Sequence, residues 1–286
     1  MERVDTVLQT DQFDSIGNDI YESSDASFNL VIYQVDGDEI KNPQNLSVPS
    51  EFRKYQEDTA AHRRIWDFYI AIVPPEARSM VKEFVIYTDG ELSYTGAWVR
   101  PSKTDPRRWQ VGFDIRDSES PLFLADALLH ETGHLLTLND SQLPVDEGSY
   151  YIFDGEGNFP ECPQVALDGK CSLADSYINQ FFERFWTGIY TEWWEKAQEA
   201  GEMKTRREYL DVMEEFYDAH SDLFISDYAA TNIKEDMAET FSYFILNPKP
   251  EGNTIPYQKV AFFYQFPELT ALRDYAIRGI CTYASE

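Results

Sequence analysis

Two of the chain's four histidines, His130 and His134, stand four residues apart in SPLFLADALLHETGHLLTLND, with Glu131 beside the first. Residues four apart share a helix face, so both imidazoles can reach one ion. Glu131 falls about 100° round the helix, where its carboxylate meets a water held by that ion and not the ion itself. The chemistry such a trio serves is hydrolysis, with a metal as Lewis acid and a carboxylate as general base. Two hydrogen-bonded histidines in a buried helix are the competing reading. Ser120 followed by Pro121 is a strong helix start, a capping hydroxyl and then a fixed φ. Gly133 inside the helix costs about 1 kcal/mol relative to Ala, a defect understandable where something packs closely on the backbone.

A catalytic zinc takes three protein ligands and keeps one position for water. Two candidates compete for the third place. Asp140 follows His134 by six residues, a spacing similar to the HExxHxxGxxD arrangement of small secreted metzincin-like proteases. Those proteases turn the chain with a glycine where Thr137 stands here. The second candidate lies far downstream in SDYAATNIKEDMAETFSYF. Asn232 can cap a helix whose third residue is Glu235, and Glu239 follows one turn later on the same face. One carboxylate of that pair can bind a metal and the other can hold the free N–H of a ligand histidine. An exposed acidic helix face is the plain alternative in a chain with 51 Asp and Glu.

HExxH followed downstream by Y-x6-E-x3-E resembles the gluzincin zinc metallopeptidases, in the arrangement of the anthrax lethal factor catalytic domain and related bacterial zinc metallopeptidases. The resemblance spans roughly residues 50 to 248. It implies one catalytic Zn2+ held by His130, His134 and Glu235, with Glu131 as general base. Glu239 becomes the outer partner, and Tyr228 faces the reacting carbonyl. The implied activity is that of a zinc metallopeptidase, a metalloendopeptidase-like hydrolase acting on a peptide or protein. The chain departs from thermolysin-like enzymes in the long insert between His134 and Glu235. Apart from the resemblance, Asp126, a turn before His130, is either a solvated helix-face aspartate or a residue that orients that imidazole, and His220 is either a surface residue or an assistant to Tyr228.

These residues need elements to position them. KEFVIYTDG, GAWVR and RRWQVGFDI read as three strands separated by turn signals such as Asp89-Gly90. One of them, GAWVR or WQVGFDI, is expected to present an open edge to an extended peptide. A helix is expected from Ser50 to the pair Pro74-Pro75, with His62 as a packing or surface residue. Aromatic helices follow through INQFFERFWTGIYTEWWEKAQ and REYLDVMEEFYDAH, then IKEDMAETFSYFIL, then two shorter helices flanking Pro267. The expected class is α+β: a zincin-like catalytic domain, mainly helical, with a small, mostly antiparallel sheet beside the HExxH helix. Residues 1–48, rich in Asp, Ser, Asn and Gln apart from FNLVIYQV, are expected to form a mobile or loosely docked extension. The domain proper is expected over 49–286, with a helical insert at about 173–220.

The 286 residues, 43% hydrophobic, suffice for a full core. A formal charge of −27 excludes a nucleic-acid binder of the ordinary kind, which needs clustered Lys and Arg. No apolar run approaches the ~18 residues of a membrane helix, and the N-terminus lacks a signal-peptide pattern. Cys162 and Cys171 bracket CPQVALDGKC, short enough to close as a disulfide, with Cys281 left over. That pair points to a processed mature chain outside the cell or at its surface, with a cytoplasmic location still open. A non-catalytic zinc-binding surface protein and a narrow-specificity toxin-like protease are the alternative functions. Oligomeric state is not legible in the sequence.

Overall fold

The structure, a computed structural model, describes residues 27–89, 96–145, 162, 164–168, 170–201, 203 and 206–283. The first 26 residues of the expected extension lie outside these. So does most of the polar stretch after Asn139, together with Gly90 of the expected Asp89-Gly90 turn. In chain order the elements are β1 (Phe28–Asp36), β2 (Glu39–Asn45), α1 (Arg53–Gln56), α2 (Thr59–Ile72), β3 (Val81–Thr88), β4 (Ala97–Pro101), β5 (Trp109–Asp114) and α3 (Pro121–Leu138). After them come β6 (Ala166–Leu167), β7 (Lys170–Cys171), α4 (Tyr177–Phe185), α5 (Tyr190–Gly201), α6 (Arg206–His220), α7 (Ile233–Leu246), α8 (Ile255–Phe263) and α9 (Pro267–Tyr283). The class is α+β, as the pattern of apolar residues predicted.

The chain divides into two compact units. The first holds residues 1–132 and 271–286, the second 133–270. In the first, a five-stranded sheet runs in the order β2-β1-β3-β5-β4. Only the β3–β5 pair is parallel; the other three pairs are antiparallel. The strands form where β-branched and aromatic residues concentrate, and Phe84, Val85 and Ile86 of β3 are wholly buried, as a central strand requires. Helix α2 lays Ile65, Trp66, Phe68, Tyr69 and Ile72 into the core, and the Trp66 and Phe84 rings meet at 5.2 Å. The C-terminal part of α9 packs on α2, where Gly279 leaves no room for a side chain beside the Ala71 carbonyl and Tyr275 donates to the Ile70 carbonyl at 2.9 Å.

Three expectations need correction here. Residues 28–45 are not part of a loose extension: β1 pairs with β3 along its length and buries Leu30, Val31 and Tyr33. The polar residues around FNLVIYQV outweighed a strand whose partner lies some fifty residues on. The helix expected from Ser50 is broken, with a short 3-10 turn and α1 first, and α2 then starts at Asp58, whose carboxylate accepts the Ala61 N–H at 2.9 Å. His62 on that helix is buried, between the Tyr33 hydroxyl and the Tyr55 carbonyl, both at 2.8 Å. Finally, WQVGFDI is interior, paired by β3 on one side and β4 on the other, so GAWVR alone supplies the edge.

The second unit is helical around an aromatic core that includes Phe181, Trp186, Phe216, Phe241, Phe244 and Phe263. Helices α4 to α6 occupy the span expected of an insert but share their core with α7 and α8: Trp186 donates its indole N–H to Asp236 at 2.7 Å, and Phe181 meets Phe262 at 5.5 Å. Cys162 and Cys171 form a disulfide across the small β6–β7 hairpin. Within that hairpin Asp168 takes a left-handed φ of 49° and pairs with Lys234 of α7 at 2.9 Å. Chain entropy alone gives a loop of this size about 2–3 kcal/mol. Replacing both cysteines by serine is therefore expected to lower unfolding free energy by that amount in a urea titration, and a change below 0.5 kcal/mol, on the order of a neutral surface substitution, would contradict it. No helix among the described residues is long and apolar enough to cross a membrane.

Candidate metal centre

Helix α3 begins as its sequence dictates. Pro121 is its first residue, and the Ser120 hydroxyl accepts the Phe123 N–H at 3.4 Å. Leu124, Ala125, Leu128, Leu129 and Leu135 are buried, so the helix is enclosed along most of its length. His130 and His134 are each 7% exposed and Glu131 2%. Helix α7 is enclosed as well, with eleven of its fourteen residues buried. Asn232 caps it, its side-chain oxygen accepting from the N–H groups of Lys234 at 2.9 Å and Glu235 at 3.2 Å. Glu235 is 4% exposed, which removes the alternative of a solvated acidic face. A carboxylate held there without a cationic or hydrogen-bonding partner would cost several kcal/mol.

The close approach anticipated at Gly133 is present. A Cβ at that position would stand 3.0 Å from the Cα of Ala238 and 3.4 Å from the Cβ of Phe241. Two small residues therefore let α7 lie backbone to backbone against the second half of α3, and Glu235, one turn before Ala238, reaches His134. His134 Nε2 and Glu235 Oε2 are 3.2 Å apart. His130, one turn earlier on the same continuous helix, completes a set of three buried ligand atoms within 4.8 Å of one another.

This donor set fits a divalent transition metal. Two imidazoles and one carboxylate are the composition of a known class of catalytic zinc site, with a fourth position left for water. Bond lengths of about 2.0–2.1 Å and tetrahedral angles place neighbouring ligand atoms about 3.3 Å apart, close to the separation between His134 and Glu235. A direct N–H···O bond has its mode near 2.9–3.0 Å, so the observed spacing lies at the long end for one. The donors admit several first-row cations.

The other expected residues fall as follows. Glu239, one turn beyond Glu235 and half-buried, accepts a hydrogen bond from the Ser226 hydroxyl at 2.9 Å. Ser226 Oγ in turn accepts the Ala229 N–H at 3.0 Å, tying the 3-10 turn Tyr228–Ala230 to α7. Tyr228 opens that turn and is partly exposed. Asp126 is half-buried on α3, one turn before His130. Asp140 is not brought to the histidines: α3 ends at Leu138, and the Asp140 carboxylate accepts the Val145 N–H at 2.7 Å. With Thr137 in place of a glycine the chain runs on from the helix end instead of folding back. His220 pairs with Glu192 at 3.1 Å and packs against Phe216.

Sequence reasoning missed two ion pairs flanking Glu235, one of them fully buried. Lys234 reaches Asp168, and Asp236 receives Lys259 at 2.6 Å with both side chains fully buried. Burial pushes the Asp236 carboxyl up and the Lys259 ammonium down, and their mutual attraction opposes both shifts. Lys259 also lies 4.1 Å from the Phe224 ring centroid. The signal was available: a lysine inside the apolar run IPYQKVAFF demands a buried anion.

No protein-family model, curated protein or solved structure matches the chain.

On the sheet leading into α3, two carboxyls are strongly perturbed. Burial raises Asp114 to about 7, although its oxygens accept N–H bonds from Asp89 and Arg116. Burial, reinforced by Asp89, raises Asp117 to about 6. Folded-state values above the unfolded value favour the fold fully below pH 3.8, and that contribution is lost as pH rises through 6 to 7. Asp117→Asn is therefore expected to stabilise the chain by about 1 kcal/mol at pH 8, after discounting for solvent screening, and to be neutral at pH 4. Paired melting curves at the two pH values measure it; an equal effect at both would contradict this origin.

Proposed function

We propose that the chain is a zinc-dependent metallopeptidase with a zincin-like arrangement of its site, hydrolysing peptide bonds. The observation that carries this reading is the convergence of His130, His134 and Glu235, from two helices far apart in sequence, with Glu131 buried beside the first histidine. His130, His134 and Glu235 would hold the zinc ion, which would supply Lewis acidity at the scissile carbonyl and lower the pKa of water to about 7. Glu131 takes the proton from the attacking water and hands it to the leaving amine. Its burial keeps that carboxylate away from bulk water, so its basicity is directed at the water it faces. The Tyr228 phenol donates a hydrogen bond to the carbonyl oxygen as negative charge builds there, a contribution of about 3–4 kcal/mol if it matches other oxyanion donors. Glu239, fastened through Ser226 to the turn that bears Tyr228, holds that tyrosine in register with Glu235. Asp126 orients His130 from one turn below.

The test is Glu131→Gln. Turnover of a mixed peptide pool is expected to fall below detection while zinc remains near one per chain by atomic absorption. Loss of zinc from that variant would assign Glu131 a different role. Zinc bound tightly by the unaltered chain with no cleavage of any peptide or denatured protein would leave a zinc-binding protein without this activity.

A further inference from the structure

Resting on the metal centre of that reading, we propose that the Cys162–Cys171 hairpin positions Glu235 through the Asp168–Lys234 ion pair, so that reducing the disulfide loosens the grip on the metal. Glu235 stands between two anchored neighbours in the chain. On one side Asp236 is pinned to Lys259 of α8, both side chains fully buried. On the other, Lys234, its side chain 7% exposed, donates to the Asp168 carboxylate at 2.9 Å. Successive helical residues point about 100° apart, so the two pins flank the direction in which Glu235 projects and hold the first turn of α7 against rotation. The Asn232 cap and the Trp193 indole, which donates to the Thr231 carbonyl at 2.8 Å, fix where that turn begins.

The two pins differ in what backs them. Lys259 belongs to a nine-residue helix whose Val260, Phe262 and Phe263 are buried with it. Asp168 belongs to a hairpin with two residues in each strand, and a two-stranded hairpin is marginal by itself. The Asp168 side chain is 40% exposed, and an ion pair with one wet partner persists only if the backbone beneath it is held in place. Single hydrogen bonds contribute: Ser172 N–H to the Val165 carbonyl at 3.0 Å, and Val165 N–H to the Asn179 side chain at 3.2 Å. The disulfide adds a covalent tie, closing residues 162–171 into a ring with few accessible conformations. Asp168 sits inside that ring.

Cys162 and Cys171 are half-buried, which leaves their sulfurs open to a small dithiol. One thiolate of the dithiol attacks a sulfur of the pair, the S–S bond breaks and a mixed disulfide forms. The second thiolate then displaces the protein sulfur. Two electrons and two protons pass from the dithiol, leaving two protein thiols and the reagent as a cyclic disulfide. The opened hairpin regains chain freedom, Asp168 holds Lys234 for less of the time, and the turn that carries Glu235 loses one of its two pins. Disulfides persist outside the cell and are reduced in most cytoplasms. The three donors are therefore held in register when the hairpin is oxidised, and the centre loosens in a reducing compartment.

Zinc affinity of the full chain is measured by competition with a chromophoric chelator, before and after dithiol reduction, iodoacetamide capping and desalting. Cys281 is capped in both states, so no free thiol competes for the ion. Reduction is expected to weaken binding about 10-fold, the low end for loss of an outer partner of a metal ligand. Asp168→Asn in the oxidised chain should weaken it equally, because asparagine tolerates the left-handed φ of 49° and lacks the charge. Reduction of that variant should add nothing further. Both changes should alter the d–d absorption of the cobalt-loaded chain, a signature of ligand geometry that a loss of stability alone leaves unmoved. If the capped chain does not fold, the oxidised Asp168→Asn chain decides. Unchanged affinity, losses that multiply on combination, or an unchanged cobalt spectrum would each overturn the proposal. Redox-independent zinc binding with peptide cleavage would overturn it while leaving the peptidase reading intact. Redox-dependent binding without any cleavage would do the reverse, and an oxidised chain that binds no zinc would overturn both.

Discussion

Glu235→Ala is expected to weaken divalent-metal binding by more than the ~10–100-fold that follows loss of an outer partner, because it removes a ligand and leaves two buried imidazoles. Asp140→Ala is expected to leave metal affinity unchanged, since its carboxylate caps the Val145 N–H, beyond the end of α3. Competition with a chromophoric chelator measures both. The contrast matters more than either value, because the two acids stand for two ways of completing an HExxH site. Equal retention of metal in Glu235→Ala, or selective loss in Asp140→Ala, would mean that α7 does not supply the ligand. The Glu235 variant should also fold, because Asn232 still caps α7 and Gly133 still meets Ala238.

Lys259→Met is expected to destabilise the chain by about 3–5 kcal/mol, the range for a buried carboxylate stripped of its counter-charge. Asp236 is fully buried, held by Trp186 and Thr240 as well as by Lys259, and these neutral donors cannot replace an ammonium at 2.6 Å. The double variant Lys259→Met, Asp236→Leu should recover most of the loss, because removing both charges removes the uncompensated one. Denaturant unfolding of the three proteins reads the coupling directly. Additive losses would show that Lys259 acts through packing on Phe224 instead of through charge. The pair fixes the rotation of α7 about its axis from the residue next to Glu235, so metal affinity in the single variant should fall along with stability.

Most of what positions the site could be read from residue types. The start of α3 was legible in Ser120-Pro121, and α7 in its Asn232 cap with Asn247-Pro248 behind it, because capping is local chemistry. Gly133 was legible as a close contact, though its partner, Ala238, was not. The α+β class followed from strands and helices segregating along the chain. What escaped depends on distant partners. FNLVIYQV looked like an island in a polar tail until β3 was placed beside it. Which of GAWVR and WQVGFDI forms an edge is a matter of strand order, which no local pattern encodes.

The contact of Gly133 with Ala238 has a consequence for how a cation is received. Backbone lies on backbone there, with no intervening side chain to swing or compress, so the spacing of the ligand-bearing helices is a property of the polypeptide. The loss of chain freedom in gathering three donors would then be met during folding, and a cation taken up there would find them already in place. Two imidazoles and one carboxylate suit calcium poorly, since it prefers six to eight oxygen atoms at 2.3–2.6 Å, roughly twice the donors present.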